Sequence, residues 1–188
     1  SAMKDLPPHV HLVVAGCDRS AFDTVPRFER IRRLLNPSPA DYRQRVLSLL
    51  HDRDLSGRVF FVGVRGDMSG VYSVADVVLF PSHLPHQARP VYEAGLFSLA
   101  VVVSDSSSTA EFVEHRVNGL TFETSSARAL AGAVRDLLED PDLRCQLGAK
   151  NRALSLRFHS FDVERGKLLE LISDLLSDRK GEECAASR

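Results

Sequence analysis

The sequence predicts an α/β fold, with a parallel sheet covered by helices on both faces. Three observations carry that expectation. Short apolar runs rich in β-branched residues recur: "VHLVVA" (10–15), "RVFFVG" (58–63), "DVVLF" (76–80) and "AVVVS" (100–104). Their nearly continuous apolar character suits strands buried on both faces. Segments of helical periodicity separate the runs, the alternation expected of βαβ units. Each run also stops at a turn signal, at Gly16, Gly63, Pro81-Ser82 and Ser104-Asp105. Ligands of such sheets bind outside these carboxyl ends.

The elements follow in order. The first strand ends at Gly16, and residues 17–40, broken by Pro26, Pro37 and Pro39, form a long connection. Connections of that length are usually functional or disordered. Ser38 is placed to cap a helix with Pro39 in its first turn, and Tyr42, Val46, Leu49 and Leu50 recur at helical spacing. "DMSGVYSVA" is a short helix between the second and third strands, and a helix over Val91–Phe97 precedes the fourth. "STAEFVEH" reads as a short helix, and "NGLTFE" as a turn and short strand. "SARALAGAVRDLLED", "PDLRCQLGAKNRALSLRF" and "FDVERGKLLELISDLLSDRK" are amphipathic or long helices. The opening "SAM" reads as a tag remnant, so residues 1–8 are tag and linker, 9–178 one domain and 179–188 a flexible tail.

Composition excludes several classes. The 188 residues are 44% hydrophobic and 26% charged, with a net charge of -1, which argues against disorder and against nucleic acid as a partner. Cys17, Cys145 and Cys184 are far apart and without ligand spacing, so neither a disulfide framework nor a metal site is expected. Reduced thiols, no signal peptide and no apolar run long enough to span a bilayer predict a cytoplasmic protein. The stripe Phe28, Ile31, Leu34 and Leu35 with Arg27, Arg30, Arg32 and Arg33 around it reads as a packed helix. A membrane surface is its alternative partner.

"FPSHLPHQARPVYEAGLFSLAVVVSD" (80–105) carries the chemistry. Gln87, Ala88, Arg89 and Pro90 lie where a helix should begin, and helix N-termini stabilise phosphates through free amides and the dipole. Arg89 adds a charge-assisted bond to a phosphate, and Ala88 leaves room for a ligand near the backbone. Glu93, one turn further in, has the acceptors for a vicinal diol such as ribose. The plainer readings remain beside these. Glu93 complements the dipole, Arg89 makes a surface ion pair and Ser82 closes a turn. Glu111 also reads as a dipole-complementing residue, Arg65 as a solvated loop arginine, and the His83/His86 pair lacks further metal ligands.

These pieces resemble the C-terminal, donor-nucleotide-binding domain of retaining glycosyltransferases of group 1 with the GT-B fold. "VVLFPS", "RPVYEAG", "AVVVSD", "AEFVEHRVNGLTFE" and "ALAGAVRDLLEDPDLRCQLGAKNR" occur in the family's order, as do "VHLVVAG" and "RVFFVG", over roughly residues 9–160. The resemblance implies a Rossmann-like half of a GT-B fold, truncated at its N-terminus, with a separate N-terminal domain as partner. It implies a UDP-, GDP- or ADP-sugar as donor, no cofactor or metal, and a saccharide or lipid-linked acceptor. It further implies backbone near Gly63 and Val64 at the nucleobase, with Ser82, Gln87, Ala88, Arg89 and Glu93 at the nucleotide. Two departures stand out. Pro85 occupies the place of the family's first Glu, and Ser106-Ser107-Ser108 follows Ser-Asp where Gly-Gly is usual. They leave open an alternative, a degenerate GT-B domain that serves as an interaction module.

Overall fold

A computed structural model describes residues 2–16, 48–49, 55, 57–82, 87–106, 109 and 111–186, with side chains to Leu176. The long connection, the helix expected from Ser38 and the arginine-rich stripe lie outside the described residues, apart from Ser48 and Leu49, which are helical. The chain forms two compact units: Ser1–Val71 with Ser126–Arg135, and Tyr72–Ser125 with Asp136–Arg188.

In the first unit, β1 (Leu12–Ala15) and β2 (Val59–Gly63) pair in parallel. Leu12 faces Val59 and Ala15 faces Gly63, with a one-residue irregularity after Val14. Gly16 and Gly63 both take positive φ, which explains why glycine ends each strand. These strands are less buried than their apolar runs suggest, since Val13 and Phe60 are exposed. The segment expected as tag and linker is described from residue 2. Ala2–Asp5 is a 3₁₀ turn, and Met3 and Leu6 are buried. Arg58 donates to the carbonyls of Leu6, Pro7 and Val10 at 3.2, 2.8 and 3.1 Å, and Arg135 donates to that of Asp5 at 2.6 Å. Two guanidiniums thus satisfy carbonyls of a segment that, among the described residues, pairs with no strand.

The second unit holds β3 (Val77–Phe80), β4 (Ala100–Ser104) and β5 (Leu120–Phe122) in that order, all parallel. Here the buried-strand expectation holds for β4, every residue of which is buried, while β3 is half-buried throughout. Helix α1 (Ser69–Tyr72) precedes β3, and α2 (Arg89–Leu96) joins β3 to β4. Helix α3 (Ala127–Glu139) opens with Ser126 Oγ accepting from the Ala129 amide. Helix α4 (Pro141–His159) opens with Asp140 accepting from Leu143 at 2.8 Å. Helix α5 (Phe161–Ala186) runs through most of the expected tail, so residues 179–186 continue the helix.

The short helix expected at 108–115 is a turn among its described residues. Thr109 Oγ1 donates to the Ser104 carbonyl at 2.5 Å. The buried Asn118 accepts from the Glu114 amide at 2.8 Å and donates to the Phe112 carbonyl at 2.7 Å. These polar side chains take the backbone bonds that a helix would otherwise close.

Helices α2 and α4 cross closely because glycine stands at both contacts. A Cβ on Gly95 would collide with Ser155 and lie 2.9 Å from the Asn151 carbonyl. One on Gly148 would collide with the Ser98 carbonyl. Ser98 takes φ 58 in a Schellman-type ending, with the Leu99 amide on the Ala94 carbonyl at 3.0 Å. Asn151, 2% exposed, donates to the carbonyls of Val91 and Leu99 at 3.0 and 3.2 Å.

Gly148→Ala should therefore cost about 1–3 kcal/mol by overpacking. Gly132→Ala, with nothing within 4 Å of its new methyl, should be neutral or stabilise by up to about 1 kcal/mol. Chemical denaturation of the two variants checks this, and equal midpoints would contradict the close crossing.

Candidate functional site

The site forms on the first turn of α2. Ala88 at the N-cap position has φ -74 and ψ 49, and the Arg89 amide bonds the Gln87 carbonyl at 2.7 Å. That is an inverse γ-turn. Pro90 has no amide hydrogen, and the Val91 amide bonds the Ala88 carbonyl at 2.8 Å. The first turn therefore presents the helix dipole, while the amides of Arg89 and Val91 are already satisfied within the chain. Ala88 is fully buried, so in this form no ligand reaches its side chain. At the end of β3 the Ser82 amide bonds the Phe80 carbonyl at 3.0 Å, and Ser104 Oγ donates to the Ser82 carbonyl at 2.5 Å. Both bonds fix the Pro81-Ser82 turn.

Glu93 lies one turn into α2, and both its carboxylate oxygens are engaged. Oε2 accepts from the Tyr72 hydroxyl at 2.8 Å. Oε1 lies 3.3 Å from Arg89 Nε, in an i,i+4 pair whose side chains are 35% and 76% exposed. The Arg89 end of that pair is well solvated and holds little energy by itself. Tyr72 is only 7% exposed and stacks on Phe97 with ring centroids 5.4 Å apart. Burial first, then the hydrogen bond and the charge of Glu93, push the Tyr72 hydroxyl above its ordinary value of 10.0. It remains a donor throughout the neutral range.

The structure thus gathers Gln87, Ala88, Arg89 and Glu93 at one helix start, with Ser82 in the same unit. Gly63 and Val64 belong to the first unit, where Gly63 is buried and Val64 is 78% exposed. Arg65 donates to the Val62 carbonyl at 2.7 Å, an ordinary loop contact. His83, Pro85 and His86 lie outside the described residues. Sequence reasoning missed Tyr72. A tyrosine amid the apolar "GVYSVADVV" signals a ring at the core edge whose hydroxyl needs a partner, but no spacing names a partner 21 residues away.

A cavity of about 450 Å³ opens on the adjoining side of α2, and none of the proposed nucleotide residues lines it. Its wall includes Tyr92, stacked on His159 at 4.2 Å, with Phe112 5.9 Å from each ring. Burial raises the Tyr92 hydroxyl as well. None of the described helices is long and apolar enough to cross a membrane.

Residues 1–154 match the family described as glycosyl transferases group 1. The chain belongs to that family. It is 35% identical over 123 residues to N,N'-diacetylbacillosaminyl-diphospho-undecaprenol alpha-1,3-N-acetylgalactosaminyltransferase of Campylobacter jejuni, covering 65% of this chain and 32% of that protein. It is 25% identical over 140 residues to GDP-mannose-dependent alpha-(1-6)-phosphatidylinositol monomannoside mannosyltransferase of Mycobacterium tuberculosis, covering 70% of this chain and 36% of that one. The chain thus spans about a third of the length of these curated relatives. Among solved structures, Anabaena Alr3699/HepE in complex with UDP and glucose superposes with a TM-score of 0.76 at 22% identity, over 92% of this chain and 43% of that one. The C-terminal domain of the group 1 family glycosyl transferase LpcC from Francisella tularensis superposes at 0.59 and 18% identity, over 84% and 90%. These likenesses place the parallel sheets and their helices in the glycosyltransferase GT-B fold.

The raised tyrosines set a pH dependence. The native state holds the Tyr72 proton more tightly than the unfolded chain does, so this contribution is complete below pH 10.0 and is lost as pH rises toward the higher folded value. Stability should fall as pH passes 10.0, and Tyr72→Phe should flatten that fall, leaving a remainder from Tyr92. Denaturant unfolding across about pH 9–11 measures the slope.

Proposed function

We propose that this chain is the part of a retaining glycosyltransferase that binds the nucleotide-diphosphate sugar. The observation that carries this reading is Glu93. In a chain of this family, its carboxylate stands one turn inside a helix that begins just beyond the end of a parallel strand, with Arg89 beside it. Glu93 accepts the hydroxyls of the ribose, and Arg89 leaves its ion pair to meet a phosphate oxygen. The dipole of α2 adds to that field. Transfer breaks the bond between the anomeric carbon and the diphosphate oxygen while an acceptor hydroxyl oxygen forms a new one on the same face and its proton passes to the departing diphosphate. The site's task is to stabilise the charge left on the departing diphosphate. Phosphate binding to first-turn amides requires the Gln87–Val91 turn to open, because those of Arg89 and Val91 are internally bonded.

The whole enzyme's acceptor is read from its relatives. The names of two of them contain a diphospho-undecaprenol and a phosphatidylinositol, which supports a lipid-linked acceptor met at a membrane surface. A second reading, an interaction module without donor binding, draws on the closed first turn and the internally paired Glu93.

Thermal unfolding with UDP, GDP and ADP separates the two. At a hundredfold excess over its dissociation constant, a ligand specific to the native state adds about 2.7 kcal/mol. We expect one nucleotide to raise the midpoint and Glu93→Ala to abolish the rise. No shift with any of the three would favour the interaction module.

A further inference from the structure

We propose that Tyr72 is the positioning residue that aims the Glu93 carboxylate, and that it thereby sets a preference for nucleotides carrying a ribose diol. The proposal rests on the reading of Glu93 as the ribose ligand.

Geometry separates the two neighbours of Glu93. A carboxylate has about four lone-pair sites. Tyr72 occupies one on Oε2 and Arg89 faces Oε1, which leaves acceptor capacity on both oxygens. Recognition of two adjacent hydroxyls needs both oxygens held in one orientation, and a fixed partner provides that more cheaply than a mobile one. Arg89 is 76% exposed, and on the proposed reading it turns toward a phosphate when the nucleotide binds. It cannot serve as the fixed partner. Tyr72 can. Its ring is 7% exposed, lies at the last position of α1 and is clamped against Phe97. Its hydroxyl stays protonated, so it donates to Glu93 and never competes for the hydroxyls of the sugar as a base.

The test uses this chain with UDP, GDP and ADP and their 2′,3′-dideoxy counterparts, reading the ratio of dissociation constants, dideoxy over ribo. Tyr72→Phe keeps the ring and removes only the hydroxyl. It should lower the ratio about tenfold, the loss expected for one hydrogen bond to a charged group. Phe97→Leu keeps the hydroxyl and loosens the ring, and should lower the ratio about threefold. A merely structural role for Tyr72 would weaken both nucleotide forms equally and leave the ratio unchanged. That outcome, with Glu93→Ala abolishing the preference, overturns the proposal and spares the nucleotide site. If the unmodified chain binds no nucleotide or binds both forms alike, the reading of Glu93 fails and this role for Tyr72 fails with it.

Discussion

The buried amide of Asn151 is the contact on which the second unit depends. An isolated eight-residue helix such as α2 is too short to be stable in water. Its stability comes from packing, and α4 is what it packs against. The Asn151 amide bonds the carbonyls of Val91 inside α2 and of Leu99 just before β4. One side chain therefore holds both ends of the connection between helix and strand. Its burial would be costly without those partners. Gly95 and Gly148 are the condition for its reach, because a methyl at either position would hold the helices apart.

Once α2 is fixed in that way, its period of 3.6 residues distributes roles among neighbours. Val91, Ala94 and Gly95 face the packed side and are buried. Arg89 and Glu93, four apart, share a second side, where Tyr72 meets them. Tyr92 projects to a third, toward Phe112 and His159. Three consecutive residues, Val91, Tyr92 and Glu93, thus serve the core, an aromatic cavity and the Glu93–Arg89–Tyr72 group. A rotation of the helix would move all three, which makes the α2–α4 contact a condition of the site as well as of stability.

Much of this architecture was legible in the sequence, for identifiable reasons. The β-branched runs gave four strands to within a residue or two, and Ala100–Ser104, the one of them buried throughout, without error. The start of α2 was readable from Pro90, whose ring suits a first turn. Three features were not. The turn after Thr109 depends on Asn118, whose bonds to Phe112 and Glu114 involve no periodic pattern. The γ-turn at Ala88 is a backbone property, and alanine does not announce it. The Tyr72–Glu93 bond joins residues from different elements, and only the fold brings them together.

The closed first turn of α2 shapes how an anion could be received there. Amides of Arg89 and Val91 that are bonded at 2.7 and 2.8 Å form good hydrogen bonds and are not idle donors. On the proposed reading, an arriving phosphate would exchange those bonds for charge-assisted ones, which are shorter and roughly twice as strong. The exchange is favourable only if the residues around the turn move while the carboxylate beside it does not. Tyr72 holds α2 at the Glu93 carboxylate and Asn151 holds it at the Val91 carbonyl, and the turn before it has the exposed Gln87 and Arg89 on either side of a buried Ala88. On the proposed reading, a carboxylate held in place beside a turn with exposed residues would let this helix start receive a diphosphate while keeping hold of its sugar.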